Sequence, residues 1–201
     1  MRVYISVAVL LLFFSACAVR SGNGAIATDE DSGRPYYTDA QKPLRIDLFG
    51  DYFFHPVKKF VQPFIVKEYF PYLRRSLPGY SKPQLLYSAH TTVAPYYETI
   101  ALAYRGGSFD TTLLYSLKAR LQQQFRAEAF SISTSFRTGK PFSLLAYTVV
   151  DPYTRIPTCY REYFVDREEA LLRISFITTD CTEGIIAAEA ERIVRGIQLG
   201  D

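Results

Sequence analysis

Phe130-Ser131-Ile132-Ser133-Thr134-Ser135-Phe136 is the stretch on which the fold turns. Phe130, Ile132, Thr134 and Phe136 alternate with three serines, and a period of two sends one set of side chains to each face of a strand. Thr138-Gly139-Lys140-Pro141 supplies a turn, and Phe142 to Val150 returns as the next strand. Beyond them Asp151 to Thr158 carries Pro152 and Pro157 and reads as a loop. Tyr160 to Val165 and Ala170 to Thr179 form a hairpin about Asp166-Arg167-Glu168-Glu169. Thr182 to Leu199 then closes the chain as a helix, with Ile186, Ala190, Ile193, Val194 and Ile197 on one stripe.

Reading back from the same stretch, Thr111 to Glu128 is helical. Leu114, Leu117, Leu121 and Phe125 recur at helical spacing, and Asp110 stands where an N-cap belongs. Gly106-Gly107 separates this helix from Tyr97 to Arg105, a buried strand. Ser76 to Pro95 is broken by Pro78-Gly79 and Lys82-Pro83 and leaves room for one short strand around Leu85-Leu86-Tyr87. Pro56 to Leu77 repeats apolar residues near a helical period between lysines and arginines. It reads as an amphipathic helix packed on its own sheet, with a lipid interface as the competing location. Leu44 to Phe54 begins with alternation and reads as a strand. The expected fold is α+β: an antiparallel sheet of about five or six strands packed with two or three helices, a C-terminal helix among them.

Upstream the character of the chain changes. Val3 to Phe14 is a twelve-residue, mainly apolar run behind Arg2, unbroken from Val7 onward. At 1.5 Å per residue it spans roughly 18 Å, short of the roughly 30 Å hydrocarbon core of a bilayer, so it reads as the apolar part of an export signal. Ala18 to Pro43 is rich in Gly, Ser and Asp without a hydrophobic period, and a disordered tether is expected there. The organisation is therefore a signal peptide over 1–16, a flexible tether over 17–43 and one α+β domain over 44–201.

Composition narrows the function classes. A net charge of +3 without an arginine-rich patch gives no case for nucleic acid. The 16 tyrosines and 15 phenylalanines suit half-buried sheet faces and contact surfaces. Of three cysteines, Cys17 closes the export signal, leaving the pair Cys159 and Cys181. In an oxidising compartment they can form a disulfide; otherwise they are buried thiols. Parity favours the bond and spacing opposes it. With the hairpin turning near residue 168, Cys159 lies opposite residue 177, and Cys181 falls about 13 Å further along an extended chain. A disulfide needs Cα atoms within about 7 Å, so the chain would have to bend back before the last helix.

Catalytic and metal signatures are sparse. The two histidines are His55, before a proline, and His90. His90 is the one plausible general base, and no serine stands in a nucleophile elbow. Arg137-Thr138-Gly139-Lys140 lacks the upstream glycine of a phosphate-binding loop, and Glu168-Glu169 are turn charges. Asp47 and Asp51 have no calcium-loop spacing. No catalytic residue, metal ligand or cofactor is assigned.

Two resemblances add to this reading. Ser15-Ala16-Cys17 after the apolar run resembles the lipobox of bacterial lipoproteins, with Phe14 where an aliphatic residue is usual. The resemblance implies acylation of Cys17, and Ala18 after it implies the outer-membrane class, facing the periplasm. The order of elements from Tyr97 to Leu199, ending in Glu189-Ala190-Glu191-Arg192-Ile193-Val194, resembles the PsbP and Mog1 group of small α+β proteins. That resemblance implies an accessory or assembly role without catalytic machinery. The expected protein is a lipid-anchored envelope module, partnered by the membrane and by another envelope protein. The alternatives are an envelope hydrolase using His90 and a carrier of a small apolar ligand.

Overall fold

The structure, a computed structural model, describes residues 24–39, 44–48, 53–55, 75, 77–90, 97–137, 140–151, 155–167, 170–182 and 185–199. The strands in chain order are β1 (Gly24–Thr28), β2 (Pro35–Asp39), β3 (Leu44–Asp47), β4 (Phe53–His55), β5 (Gln84–His90) and β6 (Tyr97–Arg105). Helix α1 (Thr111–Phe125) follows, then β7 (Glu128–Arg137), β8 (Lys140–Val150), β9 (Pro157–Asp166) and β10 (Ala170–Thr178). Helix α2 (Ile185–Gly196) and β11 (Gln198–Leu199) close the chain. Apart from Arg75 and Leu77, the helix expected over Pro56–Leu77 lies outside the described residues.

The α+β class holds: the sheets are antiparallel, and one of two described helices is C-terminal. The sheet is larger than expected and has a companion. Seven strands run in the order β4-β5-β6-β10-β9-β8-β7, and four more form a second sheet, β1-β2-β3-β11. The strand expected over Leu44–Phe54 divides between them, β3 in the small sheet and β4 in the large one.

Alternation along β10 shows how the layers assemble. Leu171 and Ile177 join a core with Leu113, Leu114, Leu117 and Leu121 of α1. Leu172, Ile174 and Phe176, on the opposite face, join Ala190, Ile193 and Val194 of α2 and Tyr37, Leu44 and Ile46 of the small sheet. The large sheet is thus the middle layer, with α1 on one face and α2 plus the small sheet on the other.

The tether expected over 17–43 needs correcting from Gly24 onward. Gly24–Thr28 and Pro35–Asp39 pair as a hairpin, and β2 pairs β3 in turn. Short runs of a few apolar residues between turn formers look unstructured alone, but Tyr37 is 0% exposed within the second core. Gly24 is required there, since a Cβ on it would overlap the Tyr37 ring.

Helix α1 begins as expected. Asp110 caps it, accepting from the backbone N–H groups of Thr112 at 2.7 Å and Leu113 at 3.2 Å. It ends three residues early because Arg126 turns into the left-handed region, φ 51°, as its C-cap. The chain can then enter β7, whose first turn carries a bulge between Glu128 and Ser131 and a second left-handed residue, Ala129 at φ 52°. Such bulges blunt an edge strand, and β7 is an outer strand of the large sheet. At the other end, α2 gives out at Gly196, and Gln198 and Leu199 pair with Arg45 and Leu44 of β3. The end of the described chain is thereby built into the small sheet instead of continuing as helix.

Candidate functional site

The most polar region of the interior lies on the α1 face of the large sheet, where β9 and β10 cross its centre. Glu162 and Arg173, at 0% and 1% exposure, form an ion pair with Nη2 and Oε2 2.6 Å apart. They are diagonal neighbours, since Glu162 faces Ser175 and Arg173 faces Phe164. The Tyr147 hydroxyl donates to Glu162 Oε1 at 2.9 Å, and Arg173 Nη1 donates to the Tyr104 hydroxyl at 3.5 Å. The guanidinium also lies 5.5 Å from the centre of the Phe164 ring, and Tyr160 stacks on Tyr147 at 4.9 Å.

Electrostatics follow from that burial. Loss of water, then the carboxylate of Glu162, hold the Tyr147 hydroxyl's pKa far above the usual phenol range. Tyr160 moves the same way through burial, with Glu98 and Glu162 adding to it. Burial also raises Tyr104, while Arg173 opposes the shift. These phenols are held neutral, as donors and packing surfaces. A buried ion pair rarely adds net stability over apolar side chains of similar volume, but either charge left alone there is costly.

His90, the expected base, stands directly opposite Glu98 across β5 and β6. His55 stands opposite Ser88 across β4 and β5. The pairings Ser88–Ile100 and Ile177–Glu98 assign Ser88 and Glu98 to the α1 face; the side chains of His55 and His90 lie outside what the structure describes. Sequence reasoning treated the histidines as isolated, because the pairing of β4, β5 and β6 joins segments far apart in the chain. Glu162 and Arg173 were missed too. Their signal was parity: each is a charge on the same face as core residues Tyr160, Phe164, Leu171 and Ile177.

Cys17 lies outside the described residues. Cys159 and Cys181 are joined as a disulfide, with Cα atoms 5.5 Å apart. Cys159 faces Thr178, so three residues and not four separate its partner position from Cys181. The bend that closes the distance lies at Thr179–Asp180. The Asp180 N–H donates to Thr178 Oγ1 at 2.9 Å, and Asp180 Oδ1 accepts from the Thr182 N–H at 3.1 Å.

On the outer side, charges tie the small sheet to α2. Arg45 contacts Asp29 at 2.6 Å and Asp47 at 3.3 Å. Arg192 meets Asp47 at 3.6 Å and makes a two-point contact with Glu189 at 2.7 and 2.8 Å. Arg34 reaches Glu189 at 3.7 Å. The Arg45 hydrogen bond and the Ser32 donors hold the Asp29 carboxyl well below the usual carboxylate range. Nearby, Ser135, Phe142, Glu191, Arg192 and Arg195 line an open groove between α2 and the β7–β8 hairpin. Its arginines face Glu189, Asp47 and Glu191, so the groove has no excess charge with which to select a ligand. Among the described residues, no helix is long and apolar enough to cross a membrane.

No family model matches the chain, and no curated protein matches it. Among solved structures it is similar to PA94, a protein of unknown function from Pseudomonas aeruginosa. The identity is 10% and the TM-score 0.39, over 90% of this chain and 99% of that one. A likeness that weak carries no argument about function.

Proposed function

We propose that this is a lipid-anchored protein of the cell envelope that acts as a non-enzymatic accessory or binding module. The observation that carries the reading is the Cys159–Cys181 disulfide. Such bonds persist in oxidising compartments, and this one uses the two cysteines left once Cys17 is assigned to an exported, acylated terminus. The enclosure of Glu162, Arg173 and Tyr147 supports a binding role over a catalytic one, since these groups serve the interior. Resemblance to lipoprotein signals supports an anchor at Cys17, with the domain facing the periplasm from the outer membrane and within reach of another envelope protein.

The hydrolase reading has one point in its favour, the placement of His90 opposite Glu98. Against it, Ser88 and Glu98 are only 3% and 5% exposed, so neither presents an open surface to a substrate. Metabolic labelling with a fatty acid, comparing wild type with Cys17→Ser, tests the proposal. Label in the wild type alone, with the protein in the membrane fraction, is expected. Equal labelling of both, or none in the wild type, would overturn it.

A further inference from the structure

Strand β7 closes one side of the large sheet, and among the described residues no strand pairs with its outer edge. The bulge between Glu128 and Ser131 protects only its first residues. Over 131–137 the register with β8 is unbroken, a regular stretch of about 20 Å. Along it, every second residue directs its N–H and C=O away from the sheet, which makes a template for a further strand. The usual defences are missing there: the stretch holds no proline and no lysine, and Arg137 at its end is its one charge. Ser131, Ser133 and Thr134 are exposed, so the described chain leaves this edge uncovered.

The same edge borders the groove beside α2. Ser131, Ser133 and Ser135 face Ala146, Leu144 and Phe142, which belong to the second core, so the three serines lie on the α2 face. A strand added beside β7 would run about 5 Å beyond it. Its residue next to Ser135 would enter the groove of about 790 Å³ that Ser135 and Phe142 form with Ala188, Arg192 and Arg195 of α2. Phe142 lies against Tyr163 there, with ring centres 6.4 Å apart, and arginine side chains favour the face of an aromatic ring. Both arginines already meet carboxylates, so the groove suits an uncharged aromatic side chain. A second copy of the chain does not supply one, because two β7 strands paired about residue 133, 134 or 135 bring another serine to Ser135. We propose that β7 and this groove bind an extended segment of a partner protein as an eighth strand, with one aromatic side chain of that segment seated beside α2. Backbone hydrogen bonds would supply affinity, and the groove would supply selectivity. The inference rests on the binding-module reading and names its surface, without depending on the lipid anchor.

The test is a selection of phage-displayed random heptapeptides on the mature chain with its disulfide intact, followed by NMR titration with the enriched peptides. These are expected to share an aromatic residue and to shift the backbone amide signals of 131–137, Ala188 and Arg195 along one saturation curve. Hydrogen exchange of the β7 amides should slow on binding. Changing the shared aromatic to alanine should weaken binding about tenfold or more, as for an anchor residue seated in a pocket. Ser135→Trp, which fills the groove from the sheet side, should weaken it likewise. Peptides that bind without moving the β7 amides overturn the site and leave the binding-module reading standing, whereas a selection that enriches no peptide overturns both. Affinity indifferent to the aromatic overturns the proposal too, as does a dimer whose β7 amides are protected before any peptide is added. Should Ser135→Trp misfold, the peptide variants decide alone.

Discussion

Glu162 and Arg173 show what a single residue contributes in this protein. Each is a charge sealed in the centre of a sheet, tolerable because the other is 2.6 Å away and two tyrosines complete the network. Removing one partner leaves the other charged, desolvated and without its counter-ion. Glu162→Ala should therefore cost about 3–5 kcal/mol, and the Glu162→Leu/Arg173→Met double variant clearly less than that. Urea titrations of the single and double variants measure both. A double variant as damaged as the sum of its singles would mean that the two charges do not compensate each other. The sequence held this pair in plain view, Glu162 between Arg161 and Tyr163 and Arg173 between Leu172 and Ile174. Only the strand register makes them diagonal neighbours, and the same register brings His90 to Glu98.

Among the elements, those carrying their own pattern were legible. The strand Tyr97–Arg105 has the same bounds in the sequence reading and in the fold, and β7 follows from its serine alternation. The β1–β2 hairpin was not legible, because its strands are stabilised by partners from elsewhere. These are β3 for hydrogen bonds, the second core for Tyr37, and Arg45 for Asp29. The ion ladder that joins this hairpin to β3 and α2 should make the fold acid-sensitive. Asp29 and Glu189 both have pKa values lowered by arginine partners. A carboxylate with a lowered folded pKa contributes stability above its unfolded pKa and loses it as pH falls through the folded value. Melting temperature should therefore hold steady near neutrality and fall below about pH 4. Asp29→Asn should flatten part of that fall, which circular dichroism melts at several pH values would show. An identical acid profile in the variant would contradict the role given to Asp29.

At the scale of the whole molecule, the disulfide joins the start of β9 to the segment that leads into α2. It fixes the last helix at the point where the chain leaves one sheet on its way to the other. Closing a loop of 22 residues should stabilise the fold by about 3 kcal/mol in the chain-entropy description. The bond also bears on location, since disulfides persist in compartments more oxidising than the cytoplasm. Parity of the cysteines suggested it, and spacing along an ideal hairpin argued against it. The bend at Thr179–Asp180, invisible in any periodicity, resolves the two. Location and anchoring together make the central claim, and non-reducing peptide mass mapping of the mature protein extracted from membranes tests them at once. The account predicts an acylated N-terminal peptide beginning at Cys17 and a linked peptide pair containing Cys159 and Cys181. An unmodified terminus together with two freely alkylated thiols would contradict it.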